Sequence, residues 1–199
     1  MMQIDLKTGL LVGARWVPSP NYNERSEKVL IDLLVVHNIS LPPGEFGGPY
    51  IDHFFTNTLD QSLHPYFAEI VSQTVSSHCL IRRDGEIVQY VPFHQRAWHA
   101  GVSEWMGREN CNDFSIGIEL EGTDETPYAE IQYLVLSQLV HLLRSVYPGI
   151  TEDRIVGHNT IAPTRKTDPG PSFDWEHLGR LLRQVPAPTI QIGILHKMN

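Results

Sequence analysis

Two hydrophobic periodicities run through the chain, and each predicts a different kind of element. Within residues 30–39, Leu33-Leu34-Val35-Val36 is a short unbroken apolar run that predicts a buried strand. It leads into His37-Asn38-Ile39-Ser40 and is stopped by Leu41-Pro42-Pro43-Gly44. Residues 77–82 and 86–91 flank Arg83-Asp84-Gly85, which predicts a β-hairpin with Asp-Gly at its tip. Residues 114–121 alternate strictly. Phe114, Ile116, Ile118 and Leu120 share one face, and Ser115, Gly117, Glu119 and Glu121 share the other. A face of small residues that ends in carboxylates suits the wall of a site. Ile155-Val156-Gly157-His158 predicts a short last strand.

Spacings of three and four take over elsewhere. Ile131, Leu134, Val135, Leu139, Leu142, Leu143 and Val146 predict a helix over residues 127–147, capped by Asp124 or Thr126 and ended by Pro148-Gly149. A second helix is expected over about residues 174–184, with Phe173, Leu178, Leu181 and Leu182 inward. Ile51, Phe54 and Phe55 suggest a short helix within residues 50–59, and the weakly patterned stretch 42–73 is a candidate lid. Strands mixed with helices, some neighbours joined by a hairpin, indicate a single α/β domain with a mixed central β-sheet flanked by helices. That domain is expected over residues 1–185, with 186–199 as a poorly ordered surface tail.

Composition narrows the classes. The 199 residues are 41% hydrophobic and 19% charged, which excludes a disordered chain. Fifteen Lys and Arg against 23 Asp and Glu give a formal net charge of -8, an argument against nucleic acid or an anionic membrane as partner. No stretch reaches the roughly 18 apolar residues of a membrane helix, and no cationic, then apolar leader opens the chain. Two cysteines, Cys79 and Cys111, are too few for a disulfide framework. A cytoplasmic protein is the expectation. Ten histidines are the unusual number, and they direct attention to metal or acid–base chemistry.

Three residues stand where elements end: His37 after the first buried strand, His158 after the last, and Asp168 in the Pro/Gly-braced segment 164–171. Two imidazoles and a carboxylate make three protein ligands, and a catalytic zinc site leaves its fourth position open for water. Spacing alone is a weak signal, because a histidine after a strand is more often a hydrogen-bonded structural residue. Glu119 and Glu121 compete as candidate bases, and spacing does not separate them. Lys166, taken alone, reads as a solvated cation.

The surrounding words are more specific. Val35-Val36-His37-Asn38-Ile39-Ser40, Phe114-Ser115-Ile116-Gly117-Ile118-Glu119-Leu120-Glu121-Gly122 and Gly157-His158-Asn159-Thr160-Ile161-Ala162-Pro163 occur in order, followed by Arg165-Lys166-Thr167-Asp168-Pro169-Gly170-Pro171. Together with Cys79–Gly85 and Ala97-Trp98-His99-Ala100-Gly101, they resemble the zinc-dependent N-acetylmuramoyl-L-alanine amidases, in particular their cytoplasmic type. The resemblance extends over about residues 17–175. It implies hydrolysis of the amide between the lactyl group of 1,6-anhydro-N-acetylmuramic acid and L-alanine of a muropeptide, in peptidoglycan recycling. It also implies one catalytic Zn2+ on His37, His158 and Asp168, catalytic roles for Glu119 and Lys166, and a substrate-carboxylate contact at Arg165. Asn38 is a further candidate for substrate contact or else a stabiliser of the turn after its strand, Trp98 for stacking on sugar or peptide or else for core packing, and His78 and His99 for support of the ligands. The resemblance leaves the oligomeric state open. A non-catalytic peptidoglycan-recognition module is the alternative; such relatives usually lack a ligand, whereas all three positions are filled here. An iron oxygenase is disfavoured because no carboxylate lies two residues after His37 or His158.

Overall fold

The computed structural model describes residues 2–184, so the expected tail at 186–199 lies outside the described residues. Its centre is a six-stranded sheet built from β1 (Arg15–Trp16), β2 (Leu33–Ile39), β3 (Cys79–Ile81), β4 (Ile87–Gln89), β5 (Ser115–Glu121) and β6 (Ile155–Gly157). The spatial order is β6-β2-β5-β3-β4-β1. β5 runs parallel to both β2 and β3, β6 runs parallel to β2, and β1 runs parallel to β4. Only the β3–β4 hairpin is antiparallel within this sheet. The sheet is therefore mixed, as the sequence pattern indicates. At the hairpin tip Gly85 has φ +89°, a left-handed conformation that costs glycine little and other residues more.

Among the described residues five α-helices accompany the sheet: α1 (Tyr50–Phe55), α2 (Pro65–Ile70), α3 (Glu130–Val146), α4 (His158–Ile161) and α5 (Trp175–Gln184). One face of the sheet packs Leu34, Val36, Ile116, Ile118 and Leu120 against α3 and α5. The opposite face of β2 buries Leu33 and Val35 with Phe114, Val156 and Ile161. Burial on both faces is what an unbroken apolar run in a parallel strand requires. Stretch 42–73 forms α1 and α2 and packs Phe54, Phe55, Phe67 and Ile70 with Leu80, Val88 and Tyr90 as a core of its own. No helix among the described residues is long and apolar enough to cross a membrane.

Several expectations shift in register or burial. The helix expected over 127–147 starts at Glu130, and neither Asp124 nor Thr126 caps it. Instead the Gln132 side chain accepts from the Ala129 N–H at 3.0 Å and donates to the carbonyls of Ile81 and Glu121. Ile131 is exposed rather than inward, while Leu136 and Val140 are fully buried. α3 meets both the sheet and α5, so its buried arc is wider than the seven-residue stripe. His158 opens α4 rather than ending the last strand. Arg82, just before the hairpin turn, lies in the interior beside Glu121, Asp52 and Glu86.

Candidate metal centre and catalytic cleft

The register of the parallel strands brings the site together. Glu119 on β5 lies opposite His37 on β2, and Gly157 on β6 lies opposite Val36, which delivers His158 next to His37. All three strands point the same way, so their ends open on one sheet edge, the usual place for sites in α/β folds. Asp168 arrives from the loop after α4. That loop is fastened by the Asn159 N–H on the Asp168 carbonyl at 2.9 Å, and by Tyr128 Oη and Asn38 Nδ2 on the Pro169 carbonyl at 2.7 and 3.1 Å.

The three side chains meet at close range. His37 Nδ1 is 3.0 Å from His158 Nδ1 and 3.0 Å from Asp168 Oδ2, and His158 Nδ1 is 3.1 Å from the same oxygen. Their outer nitrogens are engaged elsewhere. His158 Nε2 lies 3.1 Å from the Ala100 carbonyl, which can only accept, so Nε2 carries the proton and Nδ1 is bare. His37 Nε2 lies 2.9 Å from His99 Nδ1. Burial, then the neighbouring His158, pushes the His37 imidazole down to about 4, so the ring is neutral at physiological pH. With Nε2 donating to His99, His37 Nδ1 is bare as well. Two lone pairs and a carboxylate oxygen thus face one point with no proton to share, an arrangement that calls for a cation. The donor set, two imidazoles and one carboxylate, suits Zn2+.

The two carboxylates on β5 separate sharply. Glu121 accepts from the Gly47 N–H at 2.7 Å, from Arg82 at 3.1 Å and from the Arg83 N–H at 3.2 Å, so its oxygens are committed to holding the hairpin and the 40–48 loop. Glu119 is 8% exposed, and its Oε2 is buried with no hydrogen-bond partner. Burial, then the Asp168 charge, raises its carboxyl well above the ordinary range, while Lys166 opposes the rise. An unpartnered buried acid beside a ligand cluster is available for proton transfer; a triply bonded one is not. Replacing Glu121 by alanine should therefore strip Arg82 of a buried partner and cost about 3–5 kcal/mol of stability. Chemical denaturation reads that loss, and zinc content should stay at the wild-type level.

The remaining candidates line one cleft of about 580 Å³ that His37, His158 and Asp168 also line. The Arg165 and Lys166 N–H groups both donate to the Ala162 carbonyl, at 3.0 and 2.9 Å, so both residues follow α4 into the cleft. Arg165 lays Nη2 on the carbonyls of Ala100 and Val102 at 2.7 and 2.9 Å, which anchors an exposed guanidinium at the rim. Trp98 is partly buried, with its indole N–H on Asn23 at 2.7 Å and its ring on the cleft wall. Asn38 also lines the cleft, yet its Nδ2 is spent on Asp124 at 2.8 Å and on Pro169. Those bonds make it a brace for the loop that carries Asp168. His99, Ser115 and Asn112 form the layer behind His37, where His99 and Ala100 donate their N–H groups to Asn112 Oδ1 at 3.0 and 2.8 Å. The signal for that layer in the sequence is Gly117, since a glycine inside a strand marks close approach.

A cleft with these parts can hydrolyse an acyl bond such as an amide, and the class is a hydrolase built on a mixed α/β sheet. The family model described as N-acetylmuramoyl-L-alanine amidase matches residues 26–171. The 1,6-anhydro-N-acetylmuramyl-L-alanine amidase AmpD of Escherichia coli (strain K12) is 64% identical over 170 residues, covering 85% of this chain and 92% of AmpD. A crystal structure of a selenomethionine AmpD derivative superposes with TM-score 0.88 at 60% identity, covering 91% of this chain and 99% of that one. AmiD from E. coli, solved with the substrate anhydro-N-acetylmuramic acid-L-Ala-D-γ-Glu-L-Lys, superposes with TM-score 0.55 at 30% identity, covering 81% of this chain and 65% of AmiD. This chain belongs to the N-acetylmuramoyl-L-alanine amidase family and is of the AmpD type.

Proposed function

We propose that this protein hydrolyses the amide between the lactyl carbonyl of 1,6-anhydro-N-acetylmuramic acid and L-alanine of a muropeptide, with one Zn2+, in cytoplasmic peptidoglycan recycling. The observation that carries the reading is the convergence of His37 Nδ1, His158 Nδ1 and Asp168 Oδ2 within 3.1 Å of one another, in the cleft that Glu119 also lines. Zinc held by His37, His158 and Asp168 would supply a Lewis acid that lowers the pKa of water to near neutrality and polarises the scissile carbonyl. Glu119 takes the proton from the attacking water and returns it to the alanine nitrogen as the C–N bond breaks. Lys166 stabilises the oxyanion of the tetrahedral intermediate. The products are a muramic carboxylate and a free peptide. On a chain of net charge -8, an anionic peptide needs local cations, and Arg165 and Lys166 supply them at the cleft. A module that only bound muropeptide would not need the complete His37, His158 and Asp168 set that converges here.

Incubation of purified protein with anhydromuramyl and with reducing muramyl peptides, with and without a chelator, tests the reading by mass analysis of the products. Release of free peptide that the chelator abolishes is the expected result; intact substrate in the presence of added zinc overturns it. Lys166→Ala should lower kcat by about 10²–10³-fold, the scale of losing one oxyanion stabiliser. An unchanged kcat removes Lys166 from the mechanism.

A further inference from the structure

Behind the cleft, two buried side chains decide which nitrogen of His37 faces the ligand cluster. We propose that Ser115 and His99 form a positioning relay, anchored on the Cys111 carbonyl, that locks His37 in its Nε2–H tautomer and so sets the affinity of the centre for its cation. The inference rests on the metal reading above and extends it to residues outside the ligand set.

The direction of every link follows from its far end. Ser115 Oγ is 2.6 Å from the Cys111 carbonyl, which has no proton to give, so the hydroxyl donates there. Its oxygen is then an acceptor for His99 Nε2, which lies 3.1 Å away. With Nε2 carrying the proton, His99 Nδ1 is bare and accepts from His37 Nε2 at 2.9 Å. His37 Nδ1 is left with its lone pair toward His158 and Asp168. His158 reaches the same state in one step, through the Ala100 carbonyl. His37 reaches a backbone carbonyl only through two side chains.

Packing leaves the relay no freedom to invert. Ser115 is 0% exposed, Cys111 0%, His37 2% and His99 9%, so no bulk water competes for the links. The His99 ring occupies the space over Gly117, where a Cβ would sit 2.6 Å from Nδ1. Asn112 holds the backbone at both His99 and Ala100. The strand pattern Ser115, Gly117, Glu119 thereby places a hydroxyl, a seat for a ring and an acid at successive positions on one face. Each of the three serves the same centre.

Ser115→Ala, which deletes a single oxygen, is the principal test, and His99→Phe, which keeps an aromatic ring without nitrogens, is the second. Zinc affinity by chelator competition is expected to fall by about 10–100-fold in each, the range for partners that orient metal ligands. Thermal melting separates this from a merely structural role. Structural damage lowers the melting temperature equally with and without zinc, whereas loss of the relay shrinks the increment that zinc adds. Long-range ¹H–¹⁵N spectra of the zinc-free wild type should show His37 protonated at Nε2. Wild-type zinc affinity in Ser115→Ala, or His37 protonated at Nδ1 in the wild type, overturns the relay while leaving the metal reading intact. A wild-type protein that takes up no zinc overturns both. Should His99→Phe fail to fold, Ser115→Ala decides alone.

Discussion

Replacing Asp168 by alanine is expected to abolish stable zinc binding and turnover together. The site holds two imidazoles and one carboxylate, and Asp168 is the only acidic residue among the three candidate ligands, so its loss removes both a donor and the charge that would balance the cation. What remains is a pair of imidazole nitrogens 3.0 Å apart, two donors where a tetrahedral zinc site needs three from the protein. Activity should fall on the order of 10⁴-fold or more, the scale seen when a group on which a whole constellation depends is deleted. His37→Ala and His158→Ala should behave alike, because each also removes one of three ligands. Elemental analysis of each purified variant, alongside the peptide-release assay, provides the check. Full zinc occupancy in any of them would break the ligand assignment, even if activity were lost.

Fold elements that declare themselves in the sequence are those whose burial is uniform along the element. β2 opens with the unbroken apolar run Leu33-Leu34-Val35-Val36 and lies among parallel neighbours, and the β3–β4 hairpin carries its own turn chemistry at Asp84-Gly85. β1 could not be read, because two residues, Arg15 and Trp16, have no period and pair with β4 only once the hairpin has formed. Ile131 fits the helical stripe but is exposed, while Leu136 and Val140 are fully buried in the core that α3 shares with the sheet and α5. Those partners lie far from α3 along the chain, beyond the reach of local spacing.

At the site, the sequence words identify His37, His158 and Asp168 as a set, but only the parallel register of β2, β5 and β6 shows why residues so far apart meet. Glu119 and Glu121 were indistinguishable because a strand's period of two places both on one face. The difference between them is tertiary: Arg82, Arg83 and Gly47 claim Glu121, and nothing claims Glu119 Oε2. Asn38 shows the same limit in reverse. Its place near the end of β2 allows either a hand on the substrate or a local brace, and its Nδ2 donates to Asp124 and Pro169. Polar residues beside a site acquire their task from whichever partner folding brings within 3 Å, and a linear pattern does not record that partner.

Glu119→Gln should separate catalysis from stability, with opposite signs for the two. Glutamine keeps the size of the side chain and cannot accept a proton from water, so the rate should fall by about 10²–10⁴-fold while zinc remains bound. Stability should move the other way. Burial, then the charge of Asp168, raises the Glu119 carboxyl well above its ordinary value in the folded protein. Below that ordinary value the acid is neutral in both the folded and unfolded chains, and its ionisation contributes nothing. As pH rises through the raised folded value, the wild type must either keep a proton that the unfolded chain releases or bury a charge, and it loses stability. Glutamine has no such liability. Zinc-free Glu119→Gln should therefore melt above the wild type by a margin that is small in acid and grows toward alkaline pH. Melting curves in chelator across that range, set beside the turnover assay, test both halves. A margin that shrinks as pH rises would mean that Glu119 is not the strained, unpartnered acid the cleft requires, and wild-type turnover would deny it the proton.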